Sequence, residues 1–179
     1  MKKIFLMLFI ALIFTGCDKL DNTPTKQVES FFNKYQVLDK DVLNDLDSAV
    51  AEESNFNTEQ RDKYKNIMKK HYQNLVYEIK DSKEDGNKAT VTVEIEVTDY
   101  SKVIAATKVY LDTHKNEFLD EDGNYDNIKF NDYRLNELQK TKDKVKYTLD
   151  LTLTKTDDKW EIDSISNEIE DKIHGIYEY

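Results

Sequence analysis

The sequence predicts an α+β domain in which N-terminal helices pack on a curved antiparallel four-stranded sheet, with a helical insertion between its two hairpins. Three observations carry that expectation. Apolar residues recur at helical spacing from Val28 to Met68. Two stretches, from Ala89 to Val97 and from Val145 to Leu153, alternate strictly between apolar and polar residues. Between them, residues 101–138 return to helical spacing.

Thr23 followed by Pro24 reads as a cap and first helical residue. Val28, Phe31, Phe32 and Tyr35 then mark one helical face. After a break at residues 38–40, Val42, Leu43, Leu46 and Val50 line one side of a second helix. Asn57 with Gln60 has capping-box spacing and opens a third, whose stripe is Tyr64, Ile67, Met68 and His71. Leu75, Tyr77 and Ile79 predict a strand, and Asp85-Gly86 a turn. Ala89, Val91, Val93, Ile95 and Val97 alternate with Thr90, Thr92, Glu94, Glu96 and Thr98, which gives a strand with one buried and one wet face.

Val103, Ile104, Thr107, Tyr110, Leu111, His114 and Phe118 predict a helix over 101–118. Residues 120–126 form a loop around Gly123, and Phe130, Tyr133, Glu137 and Leu138 a shorter helix. Val145, Tyr147, Leu149, Leu151 and Leu153 make the next strand, and Asp157-Asp158 turn the chain. Trp160, Ile162 and Ser164 pair back as the last strand, and Ile169, Ile173 and Tyr177 belong to a closing helix.

The first residues have a different character. Lys2 and Lys3 precede eleven apolar residues, Ile4 to Phe14, followed by Thr15, Gly16 and Cys17. A charged start, a short apolar run and small residues before a cut are the layout of a signal peptide. Eleven apolar residues fall short of the ~20 that a spanning helix needs. The segment resembles a bacterial lipoprotein signal, in which cleavage follows Gly16 and the Cys17 thiol receives lipid; Phe14 stands where Leu is usual. That resemblance implies a signal peptide over 1–16, a lipidated tether over 17–23, and a single domain over 24–179 with its insertion at about 100–142. It also implies attachment to the outer face of a cell membrane, where two or more acyl chains anchor stably. Asp18 after the cysteine resembles an inner-membrane retention signal of two-membrane bacteria. The richness in Lys, Asn and Ile resembles Gram-positive proteins, in which that signal has no meaning.

Composition narrows the function. The segment 1–16 holds two lysines and no acid, so the remainder carries 24 basic and 36 acidic residues and a net charge of −12. Such charge repels nucleic acid and anionic headgroups. Lys63, Lys65, Lys69 and Lys70 are the densest basic run and read as a solvated helix face. Cys17 is the only cysteine, which excludes an intrachain disulfide and, once acylated, a catalytic thiol.

The opening Thr23-Pro24-Thr25 with Val28, Phe31 and Phe32 resembles the first helix of nuclear transport factor 2-like domains, of the cystatin-like superfamily. The segments Gly86 to Val93 and Leu153 to Ile162 resemble that superfamily's hairpins. Small lipoproteins of Gram-positive bacteria carry this layout. The likeness covers residues 23–99 and 143–166, and residues 100–142 depart from it as an inserted helical pair, a lid over the cone that the sheet makes. Some superfamily members are isomerases or dehydratases that use an acid or histidine and a tyrosine inside that cone.

Few residues carry recognisable chemistry. His71, His114 and His174 share no helical turn and form no His-Glu-x-x-His pattern. No phosphate loop, dinucleotide turn or Gly-x-Ser-x-Gly elbow is present, and no cofactor is expected. Asp120, Asp122, Asn124 and Asp126 alternate oxygen ligands as a calcium loop does, but glycine falls fourth and Asn131 twelfth, so a polar turn is the competing reading. Tyr35, Tyr77, Tyr110, Tyr147 and Trp160 are expected to point inward, as core residues or as the lining of a pocket. The expected function is a membrane-anchored, non-enzymatic domain that binds an envelope protein or small ligand. The rivals are an enzyme with a dispersed acid–tyrosine site and a structural envelope protein.

Overall fold

The structure, a computed structural model, describes residues 22–178. It is α+β, with its helices N-terminal to an open antiparallel sheet and an insertion between the two hairpins. The helices α1 (Pro24–Gln36), α2 (Lys40–Glu52) and α3 (Thr58–Gln73) lead into β1 (Val76–Asp85) and β2 (Lys88–Thr98). The insertion holds α4 (Ser101–Thr113), a 3-10 turn (Lys115–Phe118) and α5 (Asn127–Lys140). The chain ends with β3 (Lys144–Thr156), β4 (Lys159–Ile162) and α6 (Asn167–His174), and the strand order is β1-β2-β3-β4.

Local chemistry sets the helix starts. Thr23 accepts from the Lys26 N–H ahead of Pro24. Asn57 and Gln60 complete the reciprocal capping box, with N–O distances of 2.9 and 3.2 Å. Asp157 and Asp158 both take positive φ, 50° and 61°, the two-residue primed turn whose twist suits a hairpin. The same turn holds the start of the described chain: the Asn22 carboxamide accepts from the Trp160 N–H at 3.0 Å and donates to the Asp158 carbonyl.

Four element ends differ from the sequence expectation. The first strand begins at Val76, after Leu75, whose N–H still bonds the Tyr72 carbonyl at the end of α3. The helix expected over 101–118 stops at Thr113, whose hydroxyl bonds back to the Val109 and Tyr110 carbonyls and offers the backbone an alternative to another turn. The last strand ends at Ile162, short of Ser164, as the Asp163 carboxylate takes the Thr154 hydroxyl at 2.6 Å. The closing helix ends at His174, before Tyr177, because Gly175 adopts φ +71°. A further irregularity is a bulge between Ile79 and Asp81, which puts one extra residue into β1.

Two cores result. Val91, Val93, Ile95 and Val97 of β2 stand beside Leu149, Leu151 and Tyr147 of β3, with Val93 opposite Leu149 and Ile95 opposite Tyr147. Val28 and Phe32 of α1 and Ile173 of α6 cover them. The opposite face of the sheet is polar: Lys146 meets Glu94 at 2.9 Å, and Thr92 donates to Asp150 at 2.6 Å. The second core gathers Val42, Leu46 and Val50 of α2, Ile67, Met68 and Tyr72 of α3, and Leu135 and Leu138 of α5. The inserted pair therefore packs on α3 and on itself. It extends the helical layer and does not form the lid over the sheet that the likeness implied. Buried amides place it: Gln60 donates to the Ile128 carbonyl and to Asp132, and Asn131 donates to the Asn55 carbonyl, all at 2.8–2.9 Å.

Candidate functional site

Where the two cores meet, four helices leave a partly open cavity of about 270 Å³. Helical spacing builds each wall. Val42, Asp45, Leu46 and Ala49 come from successive turns of α2, Tyr64, Met68 and Tyr72 from α3, and Glu170 and His174 from α6. Tyr35 enters from the last turn of α1. Its ring meets Tyr72 edge-on with centroids 5.1 Å apart, and Tyr72 lies 5.8 Å from the His174 ring.

The cavity is electrically one-sided. Burial pushes the Tyr35 hydroxyl up to about 12, and the negative charges of Glu170 and Asp45 add to the shift. Burial also raises Tyr72, with Tyr35, Tyr64 and Asp45 contributing in the same direction. Tyr64 is raised by burial and Glu53, against Arg134. Burial lowers His174, opposed by Asp171, so its imidazole is neutral at neutral pH. The charged side chains lining the cavity are then Asp45 and Glu170, at its exposed rim. Three other acids of α2 and α6 are paired, Asp41 with Lys34 at 3.7 Å, Asp47 with Lys65 at 2.8 Å and Glu168 with Lys172 at 2.5 Å, and Asp171 is not among them. Among the described residues, neither Asp45 nor Glu170 has such a partner.

A second, more open depression of about 530 Å³ lies on the other side of α3, lined by His71, Tyr100, Thr98, Lys63, Lys70 and Asp62 among others. His71 is buried, and its Nε2 donates to the Ile173 carbonyl at 2.8 Å, which leaves Nδ1 as the acceptor nitrogen, without a partner among the described residues. Burial lowers its pKa to about 4, against the Ile173 hydrogen bond. Gly175 packs beside it, and its carbonyl accepts from the Tyr100 and Ser101 N–H groups. This seam holds α6, β2 and the start of α4 together. Asp99 belongs to it: burial would raise its carboxyl, but hydrogen bonds from Ser101 and Lys102 hold it below the usual range.

The five aromatic residues expected at a pocket are distributed over the molecule. Tyr35 lines the helical cavity. Tyr77 stacks on Phe32 at 5.1 Å beside a shallow groove along α1. Tyr110 lies in the insertion, stacked on His114 at 3.9 Å and on Tyr133 at 4.7 Å. Tyr147 is buried under the sheet against Tyr177, and Trp160 is buried on β4. The reason is topological: their strands and helices contribute to different layers, so inward side chains reach different interiors. Tyr72, Asp45, Glu170 and His174 were absent from the expected set. Their one signal was spacing, with 64, 68 and 72 on one helical stripe and 170 and 174 on another.

In the loop after α4, Asp120 accepts from the Asp122 and Asn124 N–H groups at 3.0 and 2.8 Å, and Asp126 caps α5. Those oxygens are engaged by backbone, as in a polar turn. Among the described residues, no three His, Cys, Asp or Glu side chains lie close enough to hold a metal ion. Gly16 and Cys17 lie outside the described residues. No described helix is long and apolar enough to cross a membrane. No family model, curated protein or solved structure matches the chain.

Proposed function

We propose that this chain is an extracytoplasmic lipoprotein, tethered through Cys17, whose domain binds a small ligand in the cavity between α1, α2, α3 and α6. The place is supported by the junction of an eleven-residue apolar run with Thr15-Gly16-Cys17. The order of N-terminal helices before an antiparallel meander supports the nuclear transport factor 2-like reading. The observation that carries the binding role is a concave, aromatic-lined space with two unpartnered carboxylates at its mouth. Apolar walls supply burial and a few polar groups supply orientation, which is how small-molecule sites are built.

The acid–tyrosine enzyme reading needs a carboxylate desolvated on the cavity floor. Asp45 and Glu170 sit instead at the exposed rim, which favours binding over proton transfer. Two measurements test the proposal. Mass spectrometry of the amino terminus of membrane-extracted protein should find an acylated Cys17 as the first residue, and Cys17→Ala should release the domain. Native mass spectrometry of the same material should find a small molecule retained by the wild type and lost on Tyr72→Ala. An unmodified sulfur refutes the anchoring, and an empty protein in both forms refutes the binding role.

A further inference from the structure

The geometry points to a small organic ammonium ion, quaternary or methylated, as the occupant of the cavity formed by Tyr35, Tyr64, Tyr72 and His174, with Asp45 and Glu170 at its rim. This inference deepens the binding reading above and rests on it. Three features of the cavity lead to it.

The first is the wall. Three tyrosines and one histidine line a space of about 270 Å³, room for about nine waters at ~30 Å³ each. The face of an aromatic ring is negative and attracts a cation, more strongly when the cation is removed from water. A methylated ammonium gives up little hydration on entering such a site, whereas a compact –NH₃⁺ needs hydrogen-bond acceptors on every side. Met68, Leu46, Val42 and Ala49 complete the wall and suit methyl groups.

The second is charge. Among the described residues, no lysine or arginine lines the cavity. The two acids that do line it lack cationic partners among the described residues, while Asp47 and Glu168, each two positions away on the same helices, have them. An unpaired carboxylate at a low-dielectric mouth raises the local concentration of cations. The third is the state of the ring groups. Burial and the adjacent acids favour the neutral phenols, and burial favours neutral imidazole at His174, so the walls carry no opposing charge.

An anionic ligand is disfavoured by the same features. A neutral apolar ligand would gain the burial but make no use of Asp45 and Glu170. A phosphocholine headgroup presents the same cation next to a phosphate, which the acidic rim would repel; free methylated ammonium ions are therefore the source inferred.

Isothermal titration calorimetry on the soluble Cys17→Ala chain tests this with four probes: tetramethylammonium, choline, phosphocholine, and 3,3-dimethyl-1-butanol, the uncharged isostere of choline. Choline should bind at least tenfold more tightly than the isostere and more tightly than phosphocholine. Asp45→Asn and Glu170→Gln, both at exposed positions, should each weaken choline binding several-fold with an unchanged circular dichroism spectrum. Tyr35→Phe, which keeps the ring, should leave binding within about twofold, and Tyr35→Leu should abolish it. Equal binding of choline and the isostere overturns the ammonium assignment while leaving a ligand pocket standing. Tighter binding of phosphocholine, or no effect of either acid substitution, also overturns it. Failure of all four probes overturns it as well, and the ligand recovered by native mass spectrometry then judges the binding reading separately.

Discussion

In the core cluster under the sheet, the buried side chains of α1, α6 and β2 to β4 are apolar apart from the Tyr147 hydroxyl and the Trp160 indole, and the strands are joined by backbone hydrogen bonds. Among α2, α3, α4 and α5, buried amides do part of the joining: Gln60 and Asn131 reach carbonyls on other segments. The difference follows from where each element spends its backbone groups. A strand satisfies its N–H and C=O on its neighbours, so pairing and placement are one event. A helix satisfies them internally, so its placement relies on side chains. The cavity lies at the border of the two cores.

Removing apolar volume from the sheet core should have the largest effect. Phe32→Ala, at a fully buried position, should cost about 3–5 kcal/mol. Trp160, the only tryptophan, reports on that core, so its fluorescence and the helical circular dichroism should shift together in urea. A fluorescence midpoint that stays in place would mean α1 is not what seals the sheet.

The seam between the cores comes next. Its most constrained point is Gly175, where an added Cβ would lie 2.0 Å from the Thr98 carbonyl oxygen and 3.1 Å from the His71 ring. With φ at +71° besides, Gly175→Ala should cost about 2–4 kcal/mol, the sum of left-handed strain and overpacking. A loss under about 1 kcal/mol in the same urea titration would show that the seam yields.

His71 makes the seam sensitive to acid. Its pKa is about 4 in the folded protein against an ordinary 6.5, so the unfolded chain binds the proton more readily. The associated stability is complete above pH 6.5 and is lost as pH falls towards 4, up to about 3 kcal/mol. Urea unfolding at pH 7, 5.5 and 4 should show this fall in the wild type and a smaller one in His71→Gln. Asp99, whose carboxyl is held low, should contribute only to a further loss below the ordinary carboxylate range. Identical pH profiles for the two proteins would remove His71 from the account.

The smallest of these effects should separate the two cores. Gln60→Ala leaves the Ile128 carbonyl without its side-chain donor and should cost about 1–3 kcal/mol. Hydrogen exchange should quicken in α5 before it does in β2 and β3. Uniform acceleration would mean that the helical core has no independent opening.

The sheet was legible in the sequence because alternation follows from strand geometry: Val91 to Val97 and Tyr147 to Leu153 point one way with no help from context. The first three helices were legible from their stripes and caps. What eluded sequence reasoning depends on contacts between distant segments. The stop at Thr113 turns on a hydroxyl choosing a carbonyl, and the Ile79–Asp81 bulge leaves no mark on the pattern of β1. The seat of α5 on α3 rests on Gln60 and Asp132, which period cannot pair. The cavity was half visible: Tyr64 and Met68 read as core, and Tyr35 as core or pocket lining. Asp45 looked like any wet helix position until α6 brought Glu170 and His174 beside it.

The clasp of Asn22 on the β3–β4 turn also fixes which end of the domain the chain enters. Four residues lie between Cys17 and Asn22, a reach of at most roughly 18 Å over five Cα–Cα steps. Helix α1 then runs roughly 17 Å from Pro24, beside that turn, to Tyr35, which lines the cavity. If Cys17 is lipidated as proposed, the tether therefore joins one end of α1 and the cavity opens at the other.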